Sequence, residues 1–234
     1  MDLTKVDWDQ NKQRYKDRDE GKGTIDGWIG GSTLRAFTKI DTSNGLKPKE
    51  VIRPLFVDFG ESLDNFIRTN PRINREDFRK DFDKFHEREV IRFQKMIKDL
   101  GIKSRARGGE ENDFDDDSSY NAFAKVLNLI HTHWCHREGP KGFRKGRHPI
   151  GSGIDECLHV PIDKRVIDKL KPHVIIGNLP SIPAPMFGNS KWPSTLESMG
   201  DIREKVDYVE FQKYFREIAD EIGLSPVEAF EGFW

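Results

Sequence analysis

The chain has only two cysteines in 234 residues, Cys135 and Cys157. One such pair cannot build a disulfide framework, and it cannot supply the four thiolates of an all-cysteine iron–sulfur cluster. Long hydrophobic runs are missing too, because no apolar stretch approaches the ~20 residues a membrane span needs. The opening residues Met1-Asp2-Leu3-Thr4-Lys5 lack the apolar core of a secretory leader. These absences give the expectation of a reducing, cytoplasmic setting with no membrane partner. Net charge is nearly absent as well: the formal value is −1, so a globally basic nucleic-acid binder is not indicated.

Charged residues make up 34% and apolar residues 35%, a balance that would suit a weakly folded chain if aromatics were rare. They are not rare, at 11%, and they supply the volume for a core. The length accommodates one large domain or two small ones. Charge is separated locally. Residues 110–117 are acidic, whereas Arg137, Lys141, Arg144, Lys145 and Arg147 form a basic loop, an arrangement that can leave one face positive. The plainer alternative for this loop is simple solvation.

The fold class expected is mainly α, with few or no strands. Residues 1–25 carry Trp8 and Tyr15 and read as a docked or frayed N-terminal helix. Lys47–Arg68 has Val51, Leu55, Phe56, Phe59, Leu63, Phe66 and Ile67 at helical intervals, in two pieces with a break around Pro54. Asn74 is the N-cap expected for a helix over roughly 75–100, striped by Phe78, Phe82, Phe85, Val90, Phe93, Met96, Ile97 and Leu100. Ser118 or Ser119 begins a helix over about 121–137 whose apolar face is Phe123, Val126, Leu127, Ile130 and Trp134. The segment Leu158-His159-Val160-Pro161-Ile162 then leads to Asp163, which stands where an N-cap belongs, with Val166, Ile167 and Leu170 behind it. Helices over about 207–222 and 225–233 close the chain, the second started by Ser225-Pro226 with Glu228 completing a capping box. The division expected is a single helical unit over 1–234, or two helical subdomains over about 26–118 and 119–234 with a cleft between them.

Glycine and acid clusters exclude as much as they suggest. Gly30-Gly31 lacks the spacing and the lysine of a phosphate loop, so nucleotide binding is not expected there. The acidic run lacks the regular oxygen spacing of a calcium loop. His131, His133, Cys135 and His136, with His148, Cys157 and His159 farther on, admit a zinc reading through the i, i+4 pair His131 and Cys135. Trp134 beside them favours packing, and no metal or other cofactor is expected.

The string Val160-Pro161-Ile162-Asp163-Lys164-Arg165-Val166 resembles the proline–aspartate segment of the helix-hairpin-helix (HhH-GPD) DNA glycosylase superfamily of base-excision repair. Ala124-Lys125-Val126-Leu127-Asn128-Leu129-Ile130, followed by His133-Trp134, is similar to a helix of an uncharacterised bacterial branch of that superfamily. Phe215-Arg216-Glu217-Ile218-Ala219, with Gly223-Leu224-Ser225-Pro226 and Trp234, is similar to the closing helices of its archaeal 8-oxoguanine glycosylase branch. The three pieces occur in the right order and span about half the chain.

The resemblance implies a helical glycosylase-like bundle that binds duplex DNA and excises a damaged or mismatched base. Asp163 would be the catalytic carboxylate and Lys125 the candidate amine nucleophile of a lyase. A fixed carboxylate stabilises the positive charge that grows on the deoxyribose, and a helix N-terminus favours its ionised form. The base must leave the stack, so Phe123, Trp134, Phe143 or Trp234 would wall its pocket. The chain departs from the family in lacking a Gly-rich hairpin that clamps a DNA phosphate through backbone N–H groups. Gly108-Gly109 and the acidic run occupy its place, and acid repels phosphate. Either the hairpin is remodelled, or phosphate contact has moved to the loop of Arg137, Lys141, Arg144, Lys145 and Arg147, or activity has been lost. The alternative reading is a non-catalytic nucleic-acid or protein-binding module on the same fold. The bland alternatives are Asp163 as a structural cap and Lys125 as an exposed helix lysine.

Overall fold

Recurrent apolar residues at three- and four-residue intervals dominate the chain, and helices dominate the structure. The computed structural model describes residues 2–20, 37–39, 48–70, 74–101, 103–105, 111–112, 120–136, 153–162, 164–183, 202 and 204–230. Its helices in chain order are α1 (Trp8–Glu20), α2 (Pro48–Thr69), α3 (Arg75–Asp99), α4 (Tyr120–His136), α5 (Lys164–Ile175), α6 (Lys205–Ile222) and α7 (Pro226–Phe230). Three short strands, β1 (Phe37–Lys39), β2 (Lys103–Arg105) and β3 (Glu111–Asn112), pair antiparallel in the order β1-β2-β3. Ser104 is the register centre, opposite Phe37 on one side and Asn112 on the other.

The chain divides into two compact units. One comprises Met1–Gly21, Asp117–Lys125 and Ile150–Trp234; the other comprises Lys22–Asp116 and Val126–Pro149. This differs from a division at 118/119 in two ways. The N-terminal segment belongs with the C-terminal helices, and the boundary crosses α4 between Lys125 and Val126.

The unit containing α2 and α3 is built on stacked phenylalanines. Phe59 meets Phe93 at 5.1 Å between ring centroids, and Phe66 stacks on Phe85 at 4.5 Å while also touching Phe78 and Phe82. Arg92 of α3 crosses to α2, bonding Asp58 at 2.6 Å while its guanidinium lies 4.3 Å over the Phe59 ring. The later half of α4 joins this core because Trp134 lies against Gly60 and His131 stacks on Phe85. Asn74 caps α3 as its position predicts, accepting from Glu76 N–H at 2.8 Å and Asp77 N–H at 3.3 Å. A break expected at Pro54 does not occur: α2 is one helix with Pro54 inside it. An interior proline costs about 3 kcal/mol. Burying Leu55, Phe56, Phe59, Leu63 and Phe66 contributes roughly 1.5–3 kcal/mol each, which outweighs it.

In the other unit the N-terminal helix is docked. Trp8 packs edge-on against Phe230 at 5.7 Å and donates its indole N–H to Leu3 O at 2.8 Å; Lys12 approaches Glu228 at 3.9 Å. The capping box forms reciprocally, Glu228 N–H donating to Ser225 Oγ at 3.3 Å and Ser225 N–H to Glu228 Oε2 at 3.2 Å. Val166, Ile167 and Leu170 of α5 are buried as their spacing predicts. Helix α5 ends in a paired reverse bond, Gly177 N–H to Val174 O and Asn178 N–H to His173 O. Gly177 has φ 76°, where a side chain would be strained.

Candidate functional site

Helix α4 is buried on nearly every side. Phe123, Ala124, Val126, Leu127, Leu129 and Ile130 are all in the core, as an all-round apolar helix must be. Polar residues are nevertheless built into it. Asn121, Lys125, Asn128 and Thr132 follow one another at intervals of four, three and four, which aligns them on one face. All four are buried, and Lys125 is only 2% exposed. Lysines are almost never this buried unless the amine is paired, because desolvating an ammonium is expensive. The bland reading of Lys125 as a solvated helix lysine is therefore overturned. Asn128 bonds His86 of α3, Nε2 to Oδ1, at 2.7 Å.

The stretch leading to Asp163 is buried with similar completeness. Ile154, Asp155 and Cys157 through Ile162 are all buried. A turn closes first, with Cys157 N–H and Leu158 N–H both donating to Ile154 O. Buried backbone groups require partners, and α6 supplies several of them. Val160 N–H donates to Gln212 Oε1 at 2.9 Å, and Gln212 Nε2–H donates to Val160 O at 2.8 Å. Tyr208 and His159 are hydrogen-bonded, hydroxyl to Nδ1, at 2.8 Å. Arg216 donates to Cys157 O over a longer 3.4 Å. The Tyr208 ring also meets Tyr120, the first residue of α4, at 5.3 Å.

Lys125 and the segment from Ile154 to Ile162 thus fall in the same compact unit. Asp163 itself lies outside the described residues, as do Arg137, Lys141, Arg144, Lys145, Arg147, Phe143 and Trp234. Of the residues expected to wall a base pocket, Phe123 is fully buried in the unit of Lys125. Trp134 is half-buried in the other unit, where its ring covers Gly60. Sequence alone does not single out Tyr208 or Gln212, and it brings in Arg216 only as part of the string Phe215–Ala219. Their spacing of four marks one helix face, but nothing in the sequence says that a polar face is buried.

Of the histidine and cysteine cluster, the side chains of His133, His136 and His148 lie outside the described residues, and His131 packs among rings. His131 stacks on Phe85 at 5.8 Å and lies edge-on to Phe82 and His86 at 6.0 Å. Cys135 and Cys157 are buried thiols. Among the described residues no group of three or more His, Cys, Asp or Glu is arranged to hold a metal ion. No helix among them is long and apolar enough to cross a membrane. Comparison with known proteins yields no matching family model, no significant match to a curated protein and none to a solved structure.

Proposed function

We propose that this chain binds duplex DNA and cleaves the N-glycosidic bond of a damaged or mismatched base. The observation that carries the reading is Lys125, a lysine buried in α4 within the same compact unit as the proline–aspartate segment. In this reaction the C1′–N bond breaks, and the base departs with the bonding pair and gains a proton. The sugar becomes cationic as the bond lengthens, and the Asp163 carboxylate stabilises that charge or takes a proton from an attacking water. In a lyase, the neutral amine of Lys125 bonds to C1′ instead, leading through ring opening to a Schiff base. Desolvation favours the neutral form of an amine in general, which is why burial suits a nucleophilic lysine better than a solvated helix face does.

The test is a panel of duplexes carrying oxidised, alkylated, deaminated and mismatched bases. Wild-type protein is expected to release a base from at least one of them, and Asp163→Asn to lose about 100-fold or more of that rate. Borohydride is expected to trap a covalent complex that Lys125→Met does not form. Unchanged excision by Asp163→Asn would sink the assignment of the carboxylate. A second reading, a non-catalytic nucleic-acid or protein-binding module on the same fold, is favoured by the acidic run where a phosphate-clamping hairpin would stand and by the near-zero net charge. It predicts salt-sensitive duplex binding without base release on any member of the panel.

A further inference from the structure

We infer that Tyr208, Gln212 and Arg216 form a polar strap along α6 that fixes the register of the segment Cys157–Ile162, and so supports the chemistry proposed for Asp163, the next residue in the chain. The inference rests on the glycosylase reading only for the role of Asp163. The strap itself stands on separate observations.

The segment from Leu158 to Ile162 is buried yet belongs to no helix and no sheet. Buried backbone N–H and C=O groups outside a helix or sheet need partners from elsewhere in the fold. Here the carboxamide of Gln212 supplies both for Val160, accepting from its N–H at 2.9 Å and donating to its O at 2.8 Å. A carboxamide offers one acceptor and two donors, so it can engage both backbone groups of one residue at once. Glutamate could accept from Val160 N–H but would present a second acceptor to Val160 O. An apolar residue would leave both groups without this partner inside the core.

The neighbours of Gln212 on the same helix face do related work. Tyr208, four residues earlier, holds the His159 ring through its hydroxyl, and Arg216, four residues later, reaches Cys157 O. The three contacts therefore fix the side chain or backbone of residues 157, 159 and 160, immediately ahead of Pro161-Ile162-Asp163. Tyr208 also touches Tyr120 on α4, the helix that carries Lys125. One face of α6 thus engages both α4, which carries Lys125, and the segment that precedes Asp163 in the chain. A helix needing only to pack would bury apolar residues here, which carry no risk of an unmade hydrogen bond. Register matters because a slip of one residue can move a chain by as much as about 3.6 Å. Displacement of a reacting group by about 1 Å can cost about 100-fold in rate. Tyr208, Gln212 and Arg216 are accordingly positioning residues; none is assigned contact with the reacting atoms.

The experiment compares wild type, Gln212→Met and Tyr208→Phe by amide hydrogen exchange and by single-turnover base release. Gln212→Met keeps length and volume while removing both bonds to Val160. Tyr208→Phe keeps the ring against Tyr120 and removes only the hydroxyl, so it serves if the first variant folds poorly. Exchange of peptides covering residues 157–163 is expected to accelerate by about tenfold in Gln212→Met, with α5 and α7 unchanged. The single-turnover rate is expected to fall by about tenfold or more while duplex Kd stays constant. Unchanged exchange at 157–163, or faster exchange spread evenly over the whole unit, overturns the strap. Faster local exchange with an unchanged chemical rate overturns its role toward Asp163. If wild type releases no base, the glycosylase reading fails, and the exchange measurement alone still decides whether α6 holds the segment.

Discussion

Gly60 has no room for even one more carbon. A Cβ built there would overlap the indole ring of Trp134, and both residues belong to the same core. Glycine to alanine inside a helix ordinarily stabilises by about 1 kcal/mol. Here overpacking costs about 1–3 kcal/mol, so the sign reverses. Gly60→Ala is expected to lower the urea midpoint, whereas in a Trp134→Leu background the same change is expected to raise or preserve it. A stabilising Gly60→Ala in the wild-type background would show that the indole does not cover this position. Tyr214 makes a second residue-scale prediction. Burial pushes its phenol well above the usual tyrosine value of 10.0, while its hydroxyl donates to Pro180 O at 3.0 Å. The unfolded tyrosine ionises near pH 10, so above that pH the unfolded chain binds fewer protons than the folded one and stability falls. The contribution is therefore complete below about pH 10 and is lost as pH rises further. Urea unfolding between pH 9 and pH 11 is expected to show a decline that Tyr214→Phe makes shallower. At this scale sequence was least informative about the site. Lys125 looks like any helical lysine, since exposure is that residue's habit, and only the packed structure reveals its burial. Gln212 is harder still, because its partner Val160 lies 52 residues away.

Elements were legible wherever their determinants are local. Asn74, the phenylalanine stripe of α3 and the Val166-Ile167-Leu170 face of α5 each depend on residues within a few positions, and each is present. Ser225 and Glu228 are another such pair, and they lead to a prediction. Ser225→Ala removes the acceptor for Glu228 N–H and is expected to destabilise by about 1 kcal/mol. The effect should extend beyond α7, because Glu228 approaches Lys12 and Phe230 packs on Trp8. Amide exchange in α1 is expected to rise together with that in α7 in Ser225→Ala. Faster exchange confined to 225–230 would mean that α1 is held by something other than this short helix. Elements were misread where a local rule lost to packing. Pro54 signals a break by its chemistry, but the apolar stripe on either side of the following turns carries α2 through it. The strands are a different case. Stretches of two and three residues, such as Glu111–Asn112 and Lys103–Arg105, contain too few positions for an alternating pattern to register.

At the scale of the whole molecule, loops suggested the division of the chain and α4 decided it. The glycine and acid runs before residue 118 mark a connection, yet no composition shift marks the point between Lys125 and Val126 where one helix passes from one core to the other. The asymmetry has a consequence for cooperativity. α4 has 17 residues, and a helix of that length divided in two leaves pieces shorter than the ~12–15 residues that are even marginal in isolation. Each part of α4 is therefore helical because its own core holds it, and each part is also the continuation of the other. Loss of either core should fray the helix across the boundary and remove a buried element from the second. Phe93→Ala on one side and Phe215→Ala on the other each delete a fully buried ring, at a cost of about 3–5 kcal/mol. Both variants are expected to lower one common urea midpoint, with amides of α3 and α6 losing protection together in either variant. If Phe93→Ala exposes the amides of α3 while those of α6 stay protected through a separate transition, the two units unfold independently. In that case α4 would act as a linker between them rather than as a shared part of both cores.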